Sequence, residues 1–249
     1  MIFHQLFEPL SSTYTYLIAC ENSRLALLID PVYPSWERDL KLVEQLGLEL
    51  AYTLETHVHA DHITAARKLS EETGSKVVFP ETSAVDCPDM VVRDNEPFTL
   101  GDVSLLPMYT PGHTDDHFCY LYEDRLMTGD ALLIDGCGRT DFQNGDATQL
   151  FNSIHTRVFS LPDDTLIYPG HDYNGRRVSN IAQEKARNPR LGANRSLEEF
   201  GAIMSNLDLA YPKFIDYAVP GNRQCGVCPS HLPEVLEMYC QQMTQSPQG

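Results

Sequence analysis

Five of the nine histidines in this 249-residue chain stand where an apolar run gives way to a turn. His57, His59 and His62 share the stretch Thr56-His-Val-His-Ala-Asp61-His. His113 follows Thr110-Pro-Gly, His171 follows Tyr168-Pro-Gly, and a carboxylate, Asp130, follows Thr128-Gly. Imidazole and carboxylate together suit zinc or iron, whereas an all-oxygen site for a harder cation would not recruit so many imidazoles. His57 and His59 are two residues apart, so in extended chain both rings turn to one face. Asp61 and His62 follow as the chain turns into a helix, and they reach a neighbouring point. None of the seven cysteines falls within these motifs, which argues against a structural thiolate site. His4, His117, His155 and His231 lie outside them and are read as ordinary polar residues.

Ligands so far apart in sequence meet only if a rigid scaffold delivers them to one edge. Strand patterns occur at 13–19, 24–29, 48–54, 76–79 and 165–168. Two hairpins are expected, 98–100 with 103–109 about Gly101-Asp102, and 117–122 with 125–128 about Glu123-Asp124. Trp36, Leu40, Val43 and Leu46 recur at helical spacing, with Ser35 as cap and Gly47 as stop. Further helices are expected at 63–72, around Leu150, Ile154 and Val158, and at 179–186, 197–207 and 233–242. The order of elements is that of an α/β domain over residues 1–175, with residues 176–249 as a C-terminal helical extension packed on it.

Composition narrows the function classes. Eighteen Lys+Arg against 35 Asp+Glu give a net charge of −17, which disfavours nucleic acid and anionic membrane surfaces as partners. The longest apolar runs, such as Leu25-Ala26-Leu27-Leu28-Ile29, are far too short to span a bilayer. The start of the chain reads as neither signal nor transit peptide. Seven widely spaced cysteines fit reduced thiols in a cytoplasmic protein better than a disulfide framework. Cys225 and Cys228 form a CxxC, with His231 and Cys240 as the nearby residues that could complete a zinc clip or redox pair. Against the overall charge, residues 173–195 hold Arg176, Arg177, Lys185, Arg187, Arg190 and Arg195 beside one acid, Glu184. Such a basic stretch suits a small anionic substrate, because guanidinium grips carboxylate with paired hydrogen bonds.

The order of the histidine motifs resembles the metallo-β-lactamase superfamily over about residues 10–175. That resemblance implies an αββα sandwich with metal bound at one edge. In the two-metal hydrolases of this superfamily, His57, His59 and His113 would hold one ion. Asp61, His62 and His171 would hold another, with Asp130 between them. Residues 128–143, which contain Gly-Cys-Gly-Arg-Thr-Asp-Phe, resemble the persulfide dioxygenase branch, as do Tyr168-Pro-Gly-His-Asp-Tyr173, Asn188-Pro-Arg-Leu191 and Ala218-Val-Pro-Gly-Asn222 followed by Cys225-Gly226. This closer resemblance implies one Fe(II) per chain on His57, His113 and Asp130, with His59, Asp61, His62 and His171 around it. It further implies glutathione persulfide and O2 as substrates, a homodimer, and Arg139, Asp141, Tyr173, Arg176 and Asn188 beside the glutathione. Asp115-Asp116 depart from the pattern, since relatives commonly carry a proline or small residue there. Spacing alone leaves iron against zinc open, so a dinuclear zinc thioester hydrolase of the glyoxalase II type stands as the alternative.

Overall fold

A computed structural model describes residues 2–241. The first sheet begins with β1 (Ile2–Glu8), β2 (Thr13–Ala19) and β3 (Leu25–Ile29), paired antiparallel in that order. Two helical crossovers, α1 (Trp36–Gln45) and α2 (Ala66–Thr73), then lead to β4 (Glu49–Leu54) and β5 (Lys76–Pro80), and β6 (Met90–Val92) closes the sheet. From β3 to β6 the strands run parallel, as crossover connections require. The second sheet is a meander of β7 (Phe98–Leu100), β8 (Val103–Tyr109), β9 (Phe118–Tyr122) and β10 (Arg125–Gly129). After α3 (Ala147–Ser153) comes β11 (Leu166–Pro169), parallel to β10, with the short β12 (Ser179–Asn180) at the edge.

The inner faces of the two sheets close on one core, in which Tyr16, Leu27 and Ile29 meet Leu105, Tyr120 and Met127. The outer face of the first sheet is covered by α1 and α2, through Val43 and Leu69 on Leu17 and Leu28. The outer face of the second is covered by α3, α4 (Ile181–Arg187) and α5 (Leu197–Ser205), through Leu150, Ile181 and Phe200 on Leu126 and Ile167. This is the expected αββα sandwich.

Strand direction explains how the ligands converge. β3 and β4 are parallel, so Asp30 and the His57–His62 loop leave the first sheet at the same edge. β10 and β11 are parallel, and β8 runs the same way because it is antiparallel to β9, which is antiparallel to β10. His113, Asp130 and His171 therefore leave the second sheet at one edge. Hydrogen bonds hold the two edges together: Tyr14 N–H donates to the Gly170 carbonyl (2.8 Å) and Phe118 N–H to that of Thr56 (2.8 Å).

Some elements depart from expectation. β1, β6 and β12 were not signalled, since each is half-exposed, short or both. A helix at α6 (Ile215–Asn222) was masked by Pro220 and Gly221, two residues that argue against helix by themselves. The helix expected at 233–242 is a 3-10 segment, Glu234–Cys240, and residue 242 lies outside the described residues.

The thiol expectation is corrected. Cys87 is bonded to Cys225 and Cys228 to Cys240, leaving Cys20, Cys119 and Cys137 as free, buried thiols. The CxxC is thus split between two disulfides, and neither a zinc clip nor a vicinal redox pair forms there. Spacing could not reveal the first bond, because its partners are 138 residues apart and meet only through the fold. By loop-closure entropy, the bond spanning 138 residues constrains the unfolded chain more than the one spanning 12, by about 2 kcal/mol. A Cys87→Ser/Cys225→Ser variant should therefore melt roughly 4–8 °C below a Cys228→Ser/Cys240→Ser variant in calorimetry under non-reducing conditions. Equal melting temperatures would contradict the pairing.

Candidate metal centre

The site begins with a buried carboxylate. Asp30 ends β3 with a positive φ of 50°, and its two oxygens accept the Thr56 N–H (2.7 Å) and the Thr56 hydroxyl (2.9 Å). With its proton committed to Asp30, the Thr56 oxygen accepts from His57 Nδ1, 2.9 Å away. That fixes the His57 tautomer and leaves Nε2 unprotonated for a metal. His113 reaches the same state by another route, since its Nδ1 lies 2.7 Å from the Arg139 carbonyl, which can only accept. Its Nε2 then stands 3.6 Å from Asp130 Oδ2. His57, His113 and Asp130 each offer one ligand atom within 4.8 Å of the others.

His117 holds Asp130 in place. Its Nε2 accepts the Asp130 N–H (3.1 Å), and its ring lies 5.0 Å from that of His57. Gly129 makes room for it: φ is 47°, and a Cβ there would come within 2.6 Å of His117 Nε2. Burial, and after it the positive charge that His113 and His59 would carry, push His117 well below the usual imidazole range, so it is a neutral acceptor. Burial and the neighbouring His59 and His113 do the same for His57, which suits a ligand that must be neutral to bind.

The remaining motif residues form a second group, His59, Asp61 and His62, whose ligand atoms also lie within 4.8 Å of one another. His59 points Nε2 at Asp30 Oδ1 (3.0 Å) and Glu55 Oε2 (3.2 Å). Burial would depress its pKa, but those two carboxylates overcome burial and hold it well above the ordinary value. His62 Nδ1 lies 3.0 Å from Asp61 Oδ2, and His171 Nε2 lies 3.5 Å from both Asp61 and Asp130. Burial opposes ionisation of Asp61, yet His62 and His171 hold it far below the usual carboxylate range. His171 is raised in turn, with burial outweighed by Asp130 and Asp61.

The donor set fits a metal ion. Among the described residues, Asp130 Oδ1, His59 Nδ1 and His62 Nε2 are buried polar atoms without a hydrogen-bond partner. Buried nitrogen and carboxylate atoms left bare within these two clusters are costly unless a cation satisfies them.

The centre opens into a cavity of about 390 Å³. Asp61, His113, Asp130 and His171 line it, with Arg139, Tyr173, Arg190 and Leu209 further out. Of the five residues expected near a substrate, Arg139 and Tyr173 are on this wall. Tyr173 is 74% exposed and its ring stacks parallel to His171 at 6.0 Å. Arg139 is braced by Asp141 through two 2.7 Å hydrogen bonds and lies over the Phe142 ring. Asp141 thus acts behind Arg139. Arg176 is tied to Asp172 and Asp135, away from the wall. Asn188 is fully buried, donating to Gly136 and Glu184 and accepting the Arg190 and Leu191 N–H groups. It shapes the turn that brings Arg190 to the cavity. Arg190 donates to the Cys137 carbonyl (2.7 Å) and has no carboxylate partner among the described residues. Cys137, beside it, is a buried thiol pushed up to about 11 by burial.

Asp30, Thr56 and His117 shape the centre without having been given a role there from sequence. Asp30 did carry a signal, since it too is an acid at the end of an apolar strand. His117 carried none, its role depending on a ring stacked behind the ligands.

A family model described as the metallo-beta-lactamase superfamily matches residues 9–171. The chain is 46% identical over 230 residues to the Homo sapiens protein named persulfide dioxygenase ETHE1, mitochondrial, covering 91% of this chain and 89% of that one. The crystal structure of ETHE1 from Myxococcus xanthus superposes with a TM-score of 0.89 at 54% identity, covering 91% of this chain and all of that one. A probable hydroxyacylglutathione hydrolase of Schizosaccharomyces pombe is more distant, at 34% identity over 179 residues and 66% of each chain. With the sandwich, the motif order and the metal-ready cluster on one edge, these matches place the chain in the metallo-beta-lactamase superfamily, in the branch of its persulfide dioxygenases.

Proposed function

We propose that this protein oxidises glutathione persulfide with O2 and water to glutathione and sulfite, using a single Fe(II) held by His57, His113 and Asp130. The observation that carries the reading is that cluster, two imidazoles whose Nδ1 atoms are held by acceptors and one carboxylate, with His113 and Asp130 on the cavity wall, in a chain 45–46% identical to mammalian persulfide dioxygenases. Bound there, ferrous iron would supply coordination positions for a sulfur ligand and for O2. One persulfide, one O2 and one water balance one glutathione and one sulfurous acid, so protons must leave the site. His171, with Nε2 3.5 Å from both Asp61 and Asp130, is the group placed to take a proton, and the two carboxylates stabilise its charged form. With the chain divided at residue 175, the first part carries the centre, and the described residues of the second, 176–241, are an extension of the same domain that supplies Arg190 to the wall.

Arg190 suits a carboxylate of glutathione, because its charge is not spent on an acid of the protein. Arg139 keeps the wall in shape and carries its own counter-ion. The homodimer belongs to this reading through the resemblance alone, and sedimentation tests it. No helix among the described residues is long and apolar enough to cross a membrane. The cytoplasmic setting rested partly on reduced thiols and loses that support with four cysteines paired; the mammalian relatives are mitochondrial by name.

A second reading, a dinuclear zinc thioester hydrolase, is favoured by one observation: His59 Nδ1 and His62 Nε2 lack partners, as ligands of a second ion would. The deciding experiment gives Fe(II)-loaded protein glutathione persulfide and follows oxygen uptake and sulfite together. Matched uptake and sulfite support the dioxygenase; S-lactoylglutathione hydrolysis by zinc-loaded protein, without uptake, supports the hydrolase. Two variants divide the ligand sets. His113→Ala should lose iron, since two ligands rarely hold Fe(II), whereas Asp61→Ala should retain most of it; metal analysis showing the reverse would remove the single-ion assignment. Arg190→Met should raise KM for glutathione persulfide about tenfold or more with kcat little changed, the signature of lost uniform binding. An unaltered KM would take Arg190 out of the substrate site.

A further inference from the structure

The described residues of the C-terminal extension offer no ligand to the centre, yet one of their side chains is built into the metal motif. Asn222, the last residue of α6, is 1% exposed. Its Nδ2 donates to the carbonyl oxygens of His59 (2.9 Å) and His62 (2.8 Å). Its Oδ1 accepts the Thr64 N–H (2.9 Å). One planar carboxamide thus ties three backbone groups of the loop that carries the histidines. On its other side the loop is tied to residues 31–33 by the Tyr33 N–H to the Ile63 carbonyl (2.8 Å) and the Ala65 N–H to that of Pro31 (2.7 Å).

The segment around Asn222 is fixed against the same loop. The Cys225 carbonyl accepts the Arg67 N–H (2.9 Å). Gly226, at φ 97°, lies so close that a Cβ would sit 2.1 Å from the Thr64 carbonyl oxygen. The disulfide to Cys87 holds Cys225 from the far side. Residues 221–226 are therefore held at several independent points, and Asn222 is the one polar side chain in them aimed at the motif's backbone.

We propose that Asn222 is the positioning residue of the metal motif. By holding the carbonyls of His59 and His62 it sets the peptide planes of the loop, and with them the directions of the His59, Asp61 and His62 side chains that surround His57. The His57 and His59 rings lie 4.2 Å apart, so a shift in the loop reaches the ligand directly. An aspartate there could accept from Thr64 but could donate to neither carbonyl, and a leucine could do neither. The inference rests on the metal reading of the centre but not on the identity of the substrate.

The test uses Co(II) alone as probe, with the full chain. Asn222→Asp and Asn222→Leu should bind Co(II) about 10–100-fold more weakly than the parent chain and show altered visible bands at saturation. Phe200→Leu, on the buried face of α5, serves as the stability control and should lower the melting temperature while leaving Co(II) affinity and bands unchanged. Asn222 variants that fold and bind Co(II) with the parent affinity and spectrum would overturn the proposal. If neither variant folds, hydrogen exchange on the parent chain decides: Co(II) should slow exchange at the Thr64 amide together with those of Cys225 and Gly226. No change at these amides would overturn it too. A parent chain that binds no Co(II) would refute the metal reading itself.

Discussion

A carboxylate with almost no access to water must be satisfied entirely by the protein, and Asp30, 2% exposed, is satisfied by the groups that build the centre. One oxygen takes the Thr56 N–H and stands 3.0 Å from His59 Nε2; the other takes the Thr56 hydroxyl. That single acceptor aligns the start of the histidine loop, fixes the His57 tautomer through Thr56, and orients His59. The requirement explains why β3 and β4 must be parallel neighbours: only then do Asp30 and Thr56 leave the sheet side by side. It also explains the positive φ at Asp30, a local cost that the surrounding hydrogen bonds outweigh.

The second sheet completes the centre by the same logic with different parts. There the acceptor for a histidine Nδ1 is a backbone carbonyl, that of Arg139, and the group that holds the Asp130 backbone is a neutral imidazole, His117. The stretch following Asp130 thus does two things at once. It presents Arg139 to the cavity wall and returns its carbonyl to His113. A residue of the cavity wall is joined covalently to the hydrogen bond that orients His113, so wall and centre cannot move independently.

The sequence carried the sandwich and the histidine motifs that meet at its edge, because both follow local rules. A strand ending in His or Asp is visible as an apolar run with a polar stop, and helices α1 to α5 leave periodic stripes. What it did not carry was set by distance or by cancelling signals. Cys87 and Cys225 are joined across 138 residues. α6 hides behind Pro220 and Gly221. Asn188 and Arg176 look like substrate residues from their motifs, yet the fold spends the first on shaping a turn and the second on Asp172 and Asp135. Identical text also diverges: Ala-Leu-Leu-Ile-Asp at 26–30 runs from β3 to the buried Asp30, whereas at 131–135 it lies in the loop after β10 and ends on Asp135, an ion-pair partner of Arg176 and Arg187. The pentapeptide is the same; only the first copy has a parallel strand beside it to receive its hydrogen bonds.

Charge shows why this matters for recognition. A chain of net charge −17 repels an anionic substrate at a distance, so selectivity must come from cations left unspent at short range. The basic stretch 173–195 looks like such a reserve, but Arg176, Arg187 and Lys185 are each committed to an aspartate, and Arg195 donates to the Pro189 carbonyl. Arg190 differs in its place: of these cations it is the one on the cavity wall, reached by the turn that Asn188 holds, and its partner there is the Cys137 carbonyl. Pairing Arg176, Lys185 and Arg187 is therefore not wasted charge. It neutralises Asp135, Asp163 and Asp172, whose charge would otherwise add to the repulsion, and leaves the Arg190 guanidinium on the cavity wall without an opposing acid among the described residues.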